Sequence, residues 1–227
     1  MEKLPLYVSV TFILTTLLTL FFLNKATNYS KGVMIVSIAW LGITAAIGLT
    51  GFYRVTTAIP PRFLFLIGPP LLLVIMLFIS KKGRRLIDEF DQKWIVYLHI
   101  VRVPVELVLF WLFIHKYIPQ LMTFEGRNFD ILSGITAPLI AYFGYTNIKF
   151  SKTVLLIWNF ICLGLLINIV VHAILSAPFS FQQLAFDQPN VAVFYFPFIW
   201  LPGFIVPTVL LCHLVSIRNL LIIKRHL

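Results

Sequence analysis

The sequence predicts an all-α integral membrane protein, a polytopic bundle of seven transmembrane helices forming one domain over residues 1–227. Three observations predict it. Hydrophobic residues make up 60% of the chain and charged residues 11%, whereas soluble domains are about one quarter charged. The apolar residues gather in blocks long enough for a hydrocarbon core of about 30 Å, which takes about 20 residues of helix to cross. The blocks are continuously apolar and about twice the length of a barrel strand. Backbone groups that must be satisfied inside lipid therefore select helices over a closed barrel.

Taken in order, the first block, Leu6–Leu23, has no basic cluster before it and no A-x-A-like site after it. It reads as a retained span and not as a signal peptide. Val33–Tyr53 is the second span, and Phe63–Ser80, with Pro69 and Pro70, is the third. The polar stretch KKGRRLIDEFDQK, residues 81 to 93, reads as a solvated helical extension of the fourth span. There Arg84 can meet Asp88 and Arg85 can meet Glu89 at i,i+4 spacing; docking of a cytoplasmic partner is the functional alternative. The fourth span is Trp94–Tyr117, and Ile131–Thr146 is the fifth and shortest. Val154–Ala177 is the sixth. The semi-apolar PFSFQQLAFDQPN, residues 178 to 190, either lies along the membrane or caps the bundle before the seventh span, Val191–Ile217.

Basic residues set the orientation. With seven spans, one face carries Lys3, Arg54, Arg62, Lys116 and Arg127, and the other carries twelve Lys and Arg, among them Lys81, Lys82, Arg84, Arg85, Lys224 and Arg225. The positive-inside rule then puts the N-terminus outside and the C-terminus in the cytoplasm, and the expected location is the bacterial inner (cytoplasmic) membrane. The net charge of +10 belongs to helix ends on one side, so it implies anionic lipid and no nucleic acid. Cys162 and Cys212 both fall inside spans and read as packing residues.

A weak internal repeat accompanies this pattern. FFLNKATNYSKGV at 21–33 aligns without gaps to YFGYTNIKFSKTV at 142–154, with Phe22/Phe143, Ser30/Ser151, Lys31/Lys152 and Val33/Val154 identical. Prolines in spans three and seven (Pro69 and Pro70; Pro202 and Pro207) add to it. The pattern suits a 3+1+3 parallel duplication, an arrangement found among transporters.

The polar residues inside the spans define the candidate site. His99, Arg102 and Glu106 fall within about 60° of one another on a helix, and Arg102 and Glu106 are spaced to form an ion pair. Ionisable groups at mid-membrane face the bundle interior or a wet cavity and are functional by default. Pro104 frees the carbonyl of residue 100 beside them. On span six, Gly164, Asn168 and His172 form one stripe at four-residue spacing, whereas Asn159 points to roughly the opposite side. His99, Arg102, Glu106, Asn168 and His172 are thus the expected substrate-binding residues. A second polar cluster, Glu125, Arg127 and Asp130, lies in the outer loop; Asn128 or Asp130 would cap the fifth span there, and the cluster could form a vestibule.

There is no H-E-x-x-H, no His pair at i,i+4, no G-x-S-x-G and no Gly-rich phosphate loop, which argues against the zinc and serine hydrolases built on those motifs. No metal and no cofactor is expected, although His99 and His213 lie at a similar depth, as a bis-His haem would require. The expected function is a small-solute transporter or permease with a polar site at mid-membrane and proton coupling through Glu106 or His99. Two other readings stand beside it: a membrane enzyme acting on a lipid or isoprenoid with Glu106 or His172 as acid or base, and a sensor or assembly factor without turnover. The expected partners are the bilayer and a small molecule or lipid, and the chain is compatible with a homo-oligomer.

Overall fold

A computed structural model describes residues 4–222. Lys3, Lys224 and Arg225, which entered the sequence reading, lie outside the described residues. All regular structure among the described residues is helical. Five stretches are long and apolar enough to cross a membrane: Leu6–Ala26, Lys31–Leu49, Gln92–Ile114, Lys152–Leu175 and Leu201–Ile222. A sixth arises if the bent pair Leu64–Ile79 and Lys81–Asp88 counts as one, and Ile131–Thr146 is a shorter apolar helix.

The first helix, α1 (Leu6–Ala26), turns a threonine face inward. Thr15, Thr16 and Thr19 are buried, and each returns its hydroxyl to the carbonyl four residues back at 2.8–3.0 Å. The hydroxyls are thereby satisfied within the helix, and the face is left free to pack. Helix α2 (Lys31–Leu49) is largely exposed along its length, with Ile35 and Val36 pointing outward, as expected of a helix bathed in lipid. Ser30 and Ser151, matched in the sequence repeat, are the N-cap residues of α2 and of α8 (Lys152–Leu175).

The third helix, α3 (Leu64–Ile79), does not run on into the polar stretch. The chain bends by 91° at Ser80 into a short helix, α4 (Lys81–Asp88). Ser80 Oγ accepts from Gly83 N at 3.0 Å, so the serine caps a new helix. The polar stretch is therefore a separate transverse helix and not an extension of the fourth span. That span begins afresh as α5 (Gln92–Leu98), with Asp91 Oδ1 accepting from Lys93 N at 2.9 Å and Trp94 N at 3.2 Å. The expected local pairs across residues 84 to 89 give way to a longer-range one, in which Arg218 Nε lies 2.9 Å from Asp88 Oδ1.

Helix α5 passes through a 3₁₀ turn at His99–Val101 into α6 (Arg102–Ile114). Pro104 explains the change: its ring disfavours the regular bond to the carbonyl of residue 100, so the turn before it tightens. After the loop comes α7 (Ile131–Ala141), which ends in a π turn at Tyr142–Thr146. The seventh apolar block starts late. Val191–Trp200 is mostly irregular, and a π turn at Leu201–Ile205 leads into α9 (Val206–Ile222). Pro197, Pro202 and Pro207 crowd this entry, and each lacks the N–H a regular helix would use.

Contacts sort the connections to two ends. At one end Asn28 Nδ2 donates to the Glu89 carbonyl and Asp91 N to the Ala26 carbonyl, both at 2.8 Å. At the other, Gln188 Nε2 donates to the Ile118 carbonyl at 2.5 Å, and Val191 N to the Tyr117 carbonyl at 3.0 Å. Phe63, Phe179 and Phe194 meet there with ring centroids 5.2–5.9 Å apart. The 178–190 segment accordingly caps this end of the bundle, one of its two expected positions.

Candidate functional site

The polar residues of α5 and α6 face inward against α7, α8 and α9. His99, Arg102 and Glu106 are 0%, 2% and 1% exposed, so the stripe is enclosed. The partners differ from the expected mutual pair. Arg102 Nε lies 3.1 Å from Asp130 Oδ2, and both terminal nitrogens of Arg102 donate to the Cys162 carbonyl at 3.4 Å. Glu106 Oε1 accepts instead from Asn128 Nδ2 at 2.5 Å. The geometry follows from the loop, which folds inward ahead of α7 and brings Asn128 and Asp130 to the charges.

Asn128 is the hinge of that arrangement. Fully buried, it also donates to the Met122 carbonyl at 3.1 Å, and its Oδ1 accepts from Asp130 N at 3.0 Å. Asp130 occupies the N-cap position of α7 without making a side-chain cap bond, because its carboxylate is turned to Arg102. Close approach of α7 makes this reach possible. A Cβ built on Gly134 would lie 2.8 Å from Val103 Cγ2 and 3.0 Å from Val103 N. Gly134→Ala should therefore push α7 off the α5–α6 junction, at about 1–3 kcal/mol for overpacking, as read by unfolding in detergent.

A second set of polar groups continues the enclosure between α5, α8 and α9. The His99 and His213 rings stack with centroids 4.0 Å apart, and the Trp158 ring meets His99 edge-on at 5.5 Å. Asn159 Nδ2 donates to the Leu155 carbonyl at 2.9 Å and to Ser216 Oγ at 3.2 Å, leaving Oδ1 as an acceptor 3.1 Å from His213 Nδ1. With an amide oxygen as the acceptor, His213 Nδ1 is the donor of this contact. Neither nitrogen of His99, nor His213 Nε2, Glu106 Oε2 or Asp130 Oδ1, has a hydrogen-bond partner among the described residues. Face-to-face stacking leaves no plane between the imidazoles for a porphyrin. Among the described residues no group of three or more His, Cys, Asp or Glu has metal-binding geometry.

The other expected site residues lie apart from this enclosure. Asn168 Nδ2 donates to the Arg127 carbonyl at 2.8 Å, and the Asn168 carbonyl in turn lies 2.8 Å from His172 Nδ1. Gly164 is exposed on the same face of α8. Glu125 and Arg127 are exposed at the loop surface, whereas Asp130 is drawn inside. Asn159, on the other side of α8, is the residue that reaches the centre. Asn128, Asn159, His213 and Ser216 complete the enclosure beyond the residues expected to bind substrate.

A distinct cavity of about 440 Å³ lies on the far side of α9, between α2 and α3, with Trp40, Leu73, Val74, Pro207 and Leu211 in its wall. His213 and Ser216 project from the opposite face of α9, which separates this apolar space from the polar enclosure.

No curated protein and no solved structure matches the chain. A family model does match residues 59–221, taking in α3 to α9 and all the residues of the enclosure. With more than two thirds of the sequence matched, the chain belongs to the family described as a domain of unknown function, DUF8737.

Proposed function

We propose that the protein is a seven-span small-solute permease whose binding site is the polar enclosure formed by His99, Arg102, Glu106, Asn128, Asp130, Asn159 and His213. The observation that carries this reading is the set of partnerless polar atoms at 0–5% residue exposure: both His99 nitrogens, His213 Nε2, Glu106 Oε2 and Asp130 Oδ1. Leaving such atoms unmade is expensive in a membrane protein, and a solute or a proton in transit would use them. Two carboxylates face one guanidinium, so the site has one acid in excess and suits a cationic solute or a coupled proton.

Several helices around the site are interrupted. The 3₁₀ turn at His99–Val101, the π turn at Tyr142–Thr146, and Pro104 and Pro138 lie in elements that pack around it, and the π turn at Leu201–Ile205 opens the span that carries His213. Broken helices of this kind supply the moving parts in transporters. The scaffold reading calls for a fully paired polar centre, and the partnerless atoms favour the permease over it. The lipid-enzyme reading would use the apolar cavity, but α9 separates that cavity from the acid and base groups.

The test is a thermal-stability screen of the purified protein against amino acids, sugars, nucleosides, organic acids and isoprenoids. A ligand that stabilises the wild type but not a folded Glu106→Gln or His99→Gln variant would support the site. A ligand unaffected by both but abolished by Arg127→Ala would move the site to the outer loop. The proposed orientation has its own check. A cysteine at Lys82 should react only with membrane-permeant reagents in intact cells, and one at Glu125 should react from outside. Labelling of Lys82→Cys by an impermeant reagent would invert the topology. Asn128 is unsuitable as the outside probe because it is buried.

A further inference from the structure

The cavity between α2 and α3 combines an apolar interior with a basic rim. It opens sideways, since Val36 on α2 and Leu73 on α3 line it and remain 55% and 47% exposed. Its volume of about 440 Å³ falls within the roughly 300–1,000 Å³ of small-molecule sites, room for an acyl chain. The wall is apolar apart from Ser30, Ser37, Thr208 and the Trp40 indole, whose N–H is taken up by the Gly203 carbonyl.

The rim is set by two turns at one end of the bundle. Lys31 lies between the lining residues Ser30 and Gly32, and it is exposed. On α4, Lys82 precedes Leu86 by one helical turn, and Leu86 lines the cavity, as does Phe90 just beyond the end of the helix. Residues at this spacing share a face, so the Lys82 ammonium stands where that face leaves the apolar space. Lys81 and Arg85 are also exposed on α4. Among the described residues the ion pairs are Arg102–Asp130 and Arg218–Asp88, so none of these four cations is neutralised. Asp88, an acid on the same helix, is engaged by Arg218. The 91° bend lays α4 across the direction of α3, the posture of an interfacial basic helix at headgroup level.

We infer that this cavity binds an anionic glycerophospholipid, with one acyl chain between α2 and α3 and its phosphate against Lys31 and Lys82. The bilayer supplies such a molecule directly through the lateral opening. The inference rests on the membrane reading and is independent of the permease proposal, because the cavity and the polar enclosure occupy opposite faces of α9. Much of its wall, including α2, precedes the residues matched by the family model.

The experiment compares binding of dioleoylphosphatidylglycerol and dioleoylphosphatidylcholine to the full chain in detergent by native mass spectrometry. The wild type should retain one phosphatidylglycerol in preference to phosphatidylcholine. Lys31→Gln with Lys82→Gln, both exposed and expected to fold normally, should lower phosphatidylglycerol affinity by about tenfold to thirtyfold, to the phosphatidylcholine level. Gly32→Leu with Ser37→Leu fills the cavity, and a Cβ at Gly32 meets nothing within 4 Å; this variant should lose both lipids. Absence of a headgroup preference in the wild type would overturn the proposal, as would unchanged preference in the lysine variant. Retention of phosphatidylglycerol by the filled variant would reduce the effect to surface charge and overturn the cavity. Displacement of phosphatidylglycerol by a polyprenyl phosphate at equal concentration would reassign the site to an isoprenoid.

Discussion

Arg102→Met should destabilise the protein by about 3–5 kcal/mol, because it strands Asp130 as an unpaired buried acid. Asp130→Leu should do the same from the other side, leaving the guanidinium hydrogen-bonded, among the described residues, to the Cys162 carbonyl alone at 3.4 Å. The double change Arg102→Met with Asp130→Leu removes both partners of the pair 3.1 Å apart and should recover much of the loss. The combination Arg102→Met with Glu106→Leu should not, since Asp130 would remain unpaired. Denaturant unfolding of the four variants in one detergent separates these outcomes. Recovery in the Glu106 double and not in the Asp130 double would show that Arg102 and Glu106 are each other's main partners.

Asn128→Leu should be the next most damaging change. Its amide holds three groups at once: Glu106 Oε1, the Met122 carbonyl and the Asp130 N–H. A hydrogen bond to a charged group contributes about 1.5–3 kcal/mol, and orphaning its buried partner adds to the loss. We expect destabilisation of about 3 kcal/mol, accompanied by protease sensitivity across residues 122 to 130 as the loop is released from α6. Asn128→Asp, which keeps the shape but sets a second carboxylate against Glu106, should be no better. If Asn128→Leu is as stable as the wild type, the loop does not depend on this residue.

The helices were largely readable because membrane insertion is written locally. Each apolar block of the sequence overlaps a helix, and most bounds agree to within four residues. The exceptions have physical causes that hydropathy does not register. Ser80 caps α4 and turns the chain, while hydropathy sees only the change from apolar to polar. Val191–Trp200 is apolar enough to extend the last span, but the prolines around it prevent a regular helix.

The site was half legible. His99, Arg102 and Glu106 stand out because charge inside an apolar block is expensive, and they do meet in the enclosure. Their partners were hidden for one reason: i,i+4 spacing reveals neighbours on one helix, whereas Asp130 and Asn128 arrive from a loop more than 20 residues away. On α8 the apolar residues surround the axis, so sequence could not say which face turns inward. The periodic stripe of Gly164, Asn168 and His172 was the more visible choice, and Asn159 was the residue that reached the centre. A similar depth was all that the sequence offered to relate His99 and His213, and the structure stacks them.

In the permease proposed above, the polar enclosure would open in turn to the two faces of the membrane. Cys162 and Cys212 report on it directly, because they are the two cysteines in the sequence, they border the enclosure, and they are 3% and 0% exposed. In sealed proteoliposomes well below the unfolding temperature, an impermeant maleimide should modify these thiols slowly from either side. Glu106→Gln or His99→Gln should change the rate without changing global stability in parallel. If neither thiol reacts from either side until the protein unfolds, the centre is a sealed packing element and the permease reading fails.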